Sequence, residues 1–77
     1  MKITRYASAT EIELPNGTLV LVSYSTPVAA FVPGKKGALV AAERYSNTTS
    51  RHVRAFLERH GLTGNPVPQA DIAALLG

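Results

Sequence analysis

Leu14-Pro15-Asn16-Gly17-Thr18, leading into Leu19-Val20-Leu21-Val22-Ser23-Tyr24, is the stretch whose reading decides the fold. Asn-Gly is a strong hairpin signal, because both residues accept positive φ at low cost. Before it, Thr10 to Leu14 alternates, with Glu11 and Glu13 against Ile12 and Leu14. After it, Thr18 to Tyr24 is rich in β-branched and apolar residues. Working outward, Ser25-Thr26-Pro27 reads as a second connection and Val28 to Val32 as a third strand. Pro33-Gly34-Lys35-Lys36-Gly37 is a turn cluster, and Ala38 to Glu43 is a fourth strand. The expectation is a four-stranded antiparallel meander.

The period then changes. Val53, Phe56, Leu57 and His60 fall at i, i+3, i+4 and i+7, one face of a helix. Thr48, Thr49 and Ser50 are candidates for its N-cap, and Gly61 suits its C-terminal end. The spacing predicts a helix from about Thr49 to His60, and Gln69 to Leu76 reads as a short terminal helix that needs something to dock on. The fold class is therefore α+β: a meander packed on one main helix in the C-terminal half. Residues 1–61 form the expected domain, and residues 62–77 a C-terminal extension that docks on the sheet or on a partner.

The totals fit one small domain. The chain has 77 residues and no cysteine, so disulfides and thiolate metal sites are excluded. A domain this size buries only about 60% of its unfolded surface, which makes oligomerisation a natural source of extra stability. No run approaches the roughly 18 apolar residues of a membrane span, and Met1 to Arg5 lacks the apolar core of a secretory signal. A cytoplasmic location is expected. Eight basic against five acidic residues give a formal charge of +3, a mild pointer toward anionic partners.

Two-residue loops at Asn16-Gly17 and Ser25-Thr26 set a register. That register places Ile12, Leu14, Leu19, Leu21, Val28, Ala30, Val32, Leu39 and Ala41 on a face for Val53, Phe56 and Leu57. The opposite face then carries Glu11 and Glu13, but also Val20, Val22, Tyr24, Ala29, Phe31, Val40 and Ala42. It is too apolar for an ordinary solvated face. Three readings follow: the C-terminal segment covers it with Ile72, Leu75 and Leu76; Val20, Val22, Tyr24, Phe31 and Val40 form a protein or dimer interface; or a one-residue slip exchanges the faces.

Tyr45-Ser46-Asn47-Thr48-Thr49-Ser50-Arg51-His52 is the most distinctive polar segment. Ordinary capping accounts for such a run. A helix N-terminus also favours anions, so Thr48, Thr49, Arg51 and Arg54, with Lys35 and Lys36, are candidates for anion or nucleic-acid binding. His52 reads as a structural histidine; the alternative is a general base for Ser46 or Ser50, for which no orienting acid stands out. His60 suits the negative end of the helix dipole. The two histidines make no metal motif, and Gly34 to Gly37 lacks the spacing of a phosphate loop. No catalytic constellation, cofactor site or metal site is expected.

Leu14-Pro15-Asn16-Gly17-Thr18 through Val22 to Ala29, with Tyr45-Ser46-Asn47-Thr48-Thr49-Ser50-Arg51-His52-Val53, resembles a family of small domains of unknown function encoded by bacteriophages and some archaea. The resemblance covers most of Thr10 to Leu57 and leaves out the segment after Gly61. It implies a phage or mobile-element origin, and no activity. The leading expectation is a non-catalytic binding module, a phage accessory protein modulating a host process through protein contact in the host cytoplasm. The alternative is binding to the nucleic-acid phosphate backbone through Lys35, Lys36, Arg51, Arg54 and Arg59.

Overall fold

The computed structural model describes residues 1–76; residue 77, the last of the C-terminal segment, lies outside them. The elements are β1 (Lys2–Arg5), β2 (Ala9–Glu13), β3 (Leu19–Ser23), β4 (Thr26–Phe31), β5 (Ala38–Ala41), α1 (Asn47–His60), β6 (Gly64–Val67) and α2 (Gln69–Ala73). They build one six-stranded sheet in the order β1-β2-β3-β4-β5-β6. The α+β class stands, but the sheet has six strands where the sequence suggested four. Both added strands are edges. β1 is exposed at all of its positions, so it carries little hydrophobic pattern. β6 contains Gly64, Asn65 and Pro66, residues that ordinarily break strands, and an edge is where a strand tolerates them. β6 runs parallel to β5, and α1 supplies the crossover that parallel pairing requires.

The register differs from the expected one at both hairpins, and proline is the reason each time. A two-residue Asn16-Gly17 loop would make Pro15 the closing partner of Thr18, and proline has no N–H to give. Pro15 instead enters the turn. Gly17 N–H bonds Leu14 O at 2.9 Å, Leu14 N–H bonds Thr18 O at 2.8 Å, and Gly17 takes φ +89°. This is the three-residue loop that ends in a left-handed glycine. Glu13 therefore faces Leu19, and Ile12 faces Val20. At the second hairpin a Ser25-Thr26 loop would have asked the same of Pro27. The loop is Tyr24-Ser25, with Ser23 facing Thr26 and Tyr24 at φ +55°. A bulge beyond it makes Val28 an extra residue, so that Val28 and Ala29 both point toward α1.

β3 keeps its expected faces, and the one-residue shift exchanges those of its neighbours: Ile12, Leu14, Ala30 and Leu39 go to the face away from α1, and Ala29, Phe31 and Val40 come to the α1 face. Leu19 and Leu21 lie under α1 with Ala9, Val28, Ala29, Phe31 and Ala38, around the fully buried Phe56. Val20 and Val22 lie on the opposite face with Leu14, Ala30 and Leu39, around Ile72 of α2. The sheet has a core on each side, which explains why neither face reads as polar. The segment after Gly61 docks on the sheet of its own chain. Gln69 anchors it there: its N–H donates to both oxygens of Glu43, at 2.9 and 3.1 Å, and its Nε2 donates to Pro27 O at 3.0 Å. Pro68 offers no side-chain cap, so Glu43 caps α2 from the far side of the chain.

Candidate functional site

The polar run at the start of α1 builds a chain of hydroxyls that leads from the exposed Ser46 to the buried Thr49 and Ser23. Ser46 is the N-cap, and its Oγ accepts from Thr49 N–H at 3.2 Å. Ser46 Oγ donates to Thr49 Oγ1 at 3.2 Å. Thr49 Oγ1 lies 3.0 Å from Ser23 Oγ, and Ser23 Oγ lies 2.8 Å from His52 Nδ1. A single proton order can run along the chain, from Ser46 to Thr49, from Thr49 to Ser23, and from Ser23 to Nδ1 of His52. The partner of His52 is thus Ser23 on β3, not Ser46 or Ser50. Ser23 is only 2% exposed, and no carboxylate is hydrogen-bonded to His52 among the described residues. Thr48, Asn47, Ser50 and Arg51 stay at the surface.

A second polar cluster closes the other end of α1. Glu11 is 6% exposed on β2 and takes Arg59 on one oxygen and His60 on the other. Arg59 Nε donates to Glu11 Oε2 at 2.9 Å, with a second, shorter bond from its Nη2, and His60 Nε2 donates to Oε1 at 2.9 Å. Burial pushes the Glu11 carboxyl up, but hydrogen bonds and charge from Arg59 and His60 outweigh it and hold it below its ordinary value. The Arg59 guanidinium also lies 4.2 Å from the centre of the Tyr6 ring, and the His60 ring meets Phe56 edge-on at 5.0 Å. The expected register put Glu11 on the face away from the helix, and Arg59 was expected to contact phosphate; the structure joins the two under α1. The helical period places His60 on the core face, and the strand alternation would have placed Glu11 beneath it had the register been known.

The six candidate anion-binding residues do not form one site. Lys35 and Lys36 sit in the β4–β5 turn, where Asn65 Nδ2 donates to Lys36 O at 3.1 Å, next to the chain leaving α1. Thr48, Thr49, Arg51 and Arg54 lie on the first half of α1, and a 14-residue helix spans about 21 Å. Thr49 is buried in the hydroxyl chain. Arg51 and Arg54 are exposed and form no salt bridge among the described residues. The five candidate interface residues are divided too. Val20 is fully buried beside Ile72, Val22 is half-buried on that face, Phe31 and Val40 are half-buried on the other, and Tyr24 is 61% exposed at the turn.

What remains open to a partner is the β1 side of the sheet. Opposed residues across the strands make an apolar row Ile3, Ile12, Val20, Ala30 and Leu39 on the α2 face. α2 covers the β4 and β5 end of that row. At the other end Ile12 is half-buried and Ile3 is 47% exposed. Backbone groups are open there as well. Tyr6 N–H bonds Ala9 O, so the groups of Thr4 and Lys2 also turn toward β2, and those of Ile3 and Arg5 turn outward. Sequence reading passed over β1, because its four exposed residues carry no period.

A family model matches residues 1–74, and the family is one of unknown function, DUF8033. The chain belongs to it. The match takes in β6 and α2, so in this member of DUF8033 the segment after Gly61 falls within the family pattern. No curated protein and no solved structure matches the chain. No helix of the described residues is long and apolar enough to cross a membrane, and no group of metal-ligating side chains occurs among them.

Proposed function

We propose that this domain is a non-catalytic protein-binding module whose contact surface is the β1 side of its sheet. The observation that carries the reading is Ile3: it ends an apolar cross-strand row whose other end is covered, yet stays about half exposed beside unpaired backbone groups of its own strand. Exposed apolar side chains next to an open sheet edge are what strand-adding partners use. The burial of Ser23 and the engagement of both its neighbours support a structural role for the Ser23–His52 pair. The resemblance to phage-encoded domains fits an accessory protein that acts on a host process in the cytoplasm. Self-association through the same surface belongs to this reading.

Nucleic-acid binding through Arg51 and Arg54 is the second reading, because both stand exposed on one side of α1. Affinity capture from a host-cell lysate with and without nuclease separates the two. The wild-type chain retains a protein after nuclease treatment, and Ile3→Glu loses it with its fold intact. Equal capture by both chains, or capture abolished by nuclease, contradicts the proposal.

A further inference from the structure

We infer that the β1 edge takes an extended, acidic segment of a partner protein as a seventh strand. The inference rests on the protein-binding reading and adds the chemistry of the partner. β1 offers the outward N–H and C=O groups of Ile3 and Arg5, spaced as a sheet ladder requires. Its side chains are Lys2 and Thr4 on the α1 face, and Ile3 and Arg5 on the α2 face. Both charges are positive, and β1 carries no carboxylate.

The inner side of β1 shows what such an edge accepts. There β2 sets Glu13 opposite Lys2, Ile12 opposite Ile3 and Glu11 opposite Thr4. That is an acidic, apolar, acidic alternation, and cross-strand pairs of opposite charge and of apolar side chains both stabilise a ladder. A strand with the same alternation on the outer side would lay an apolar residue against Ile3, extending the row that runs through Ile12 to Leu39. Its carboxylates would all lie on the α1 face, where they reach Lys2, and its apolar residues on the α2 face, beside Ile3 and the aliphatic stem of Arg5, whose charge adds to the positive potential of the edge. A second copy of this chain brings Lys2 and Arg5 again to the same short edge. Cationic edge strands are a common defence against such self-pairing. The edge therefore favours a foreign acidic strand over its own.

The test uses the whole chain, labelled for amide NMR, and two synthetic octapeptides: one alternating glutamate with valine, one alternating lysine with valine. The glutamate peptide should slow solvent exchange at the Ile3 and Arg5 amides, leave the already bonded Thr4 amide unchanged, and bind at least about tenfold more tightly than the lysine peptide, with an affinity that falls as salt rises. The exposed pair Lys2→Glu with Arg5→Glu should reverse the preference. No protection at about 1 mM peptide, or equal protection by both peptides, overturns the inference. So does concentration-dependent protection of the same amides without peptide, which assigns the edge to a second copy. The lysate capture keeps the two levels apart. If Ile3→Glu loses a protein partner that the Lys2→Glu, Arg5→Glu chain retains in full, the binding reading stands and the acidic strand falls. If Ile3→Glu retains the partner, the binding reading itself falls.

Discussion

Ser23 Oγ on β3 lies 2.8 Å from His52 Nδ1 on α1, with Thr49 Oγ1 3.0 Å away on its other side. This contact ties the signature run at the start of α1 to the third strand of the sheet. A distinctive motif of hydroxyls and a histidine is thereby accounted for by cohesion between two layers. Ser23→Ala should cost about 1–3 kcal/mol, because it leaves a buried threonine hydroxyl and a histidine nitrogen without their partner. Urea unfolding of the two chains measures this, and an unchanged midpoint would remove the structural role argued for the pair.

Glu11 gives the domain an acid-sensitive joint. Its carboxyl titrates below the ordinary value of 4.5, so it releases its proton more readily folded than unfolded. The stability it contributes is fully present above that ordinary value and is lost as pH falls through the lower folded-state value. Melting temperature should therefore drop steeply at the acid end of a scan from about pH 6 to pH 2, and Glu11→Gln should be less stable at neutral pH with a shallower acid slope. The neutral-pH loss should be modest, about 1–2 kcal/mol, because Arg59 is partly open to solvent. An identical slope in the two proteins would mean that other carboxylates drive the acid transition.

Gly64 on β6 is a point of close approach. A Cβ there would stand 2.8 Å from Val40 Cγ2 and 3.3 Å from Leu57 Cδ1. Gly64→Ala should destabilise by about 1–3 kcal/mol, since a packed neighbour must shift to admit the methyl group. Val40→Ala in the same chain should recover part of that loss, which a double-mutant cycle by chemical unfolding would show. Full additivity of the two changes would place the strain elsewhere.

The C-terminal segment should behave as core. Ile72 is fully buried over Val20 and Ala30, so Ile72→Ala should cost about 2–4 kcal/mol. Glu43→Ala should cost about 1 kcal/mol by removing the cap of α2. Calorimetric melting of both variants checks this, and wild-type melting of Ile72→Ala would mean that α2 does not hold the face it covers.

Much of the fold was legible in the strand alternation, the Asn-Gly turn and the helical period. α1 begins at Asn47 rather than near Thr49, and it ends at Gly61 as the glycine implied. The register was not legible from the turn signal alone, because Pro15 and Pro27 decide which residues can close each hairpin. One residue of slip then moved Ile12, Leu14, Ala30 and Leu39 to the α2 face and Ala29 and Phe31 under α1, while Leu19, Leu21 and Val20 kept their faces. That slip removed Val20 and Phe31 from a common surface and undid the face on which a partner was first expected. The Glu11, Arg59 and His60 cluster joins residues 48 and 49 positions apart, which no local pattern announces. The β1 edge was hidden for the opposite reason: an exposed strand of four residues has no buried side to read.

Site-directed photo-crosslinking tests the β1 contact most directly. A benzophenone amino acid is placed at position 3 in one chain and at position 54 in another, and both are irradiated in host cells. Position 3 should yield a discrete protein adduct of higher mass, and position 54, on the solvent side of α1, should yield none. Adducts formed from position 54 alone, to protein or to nucleic acid, would contradict the account.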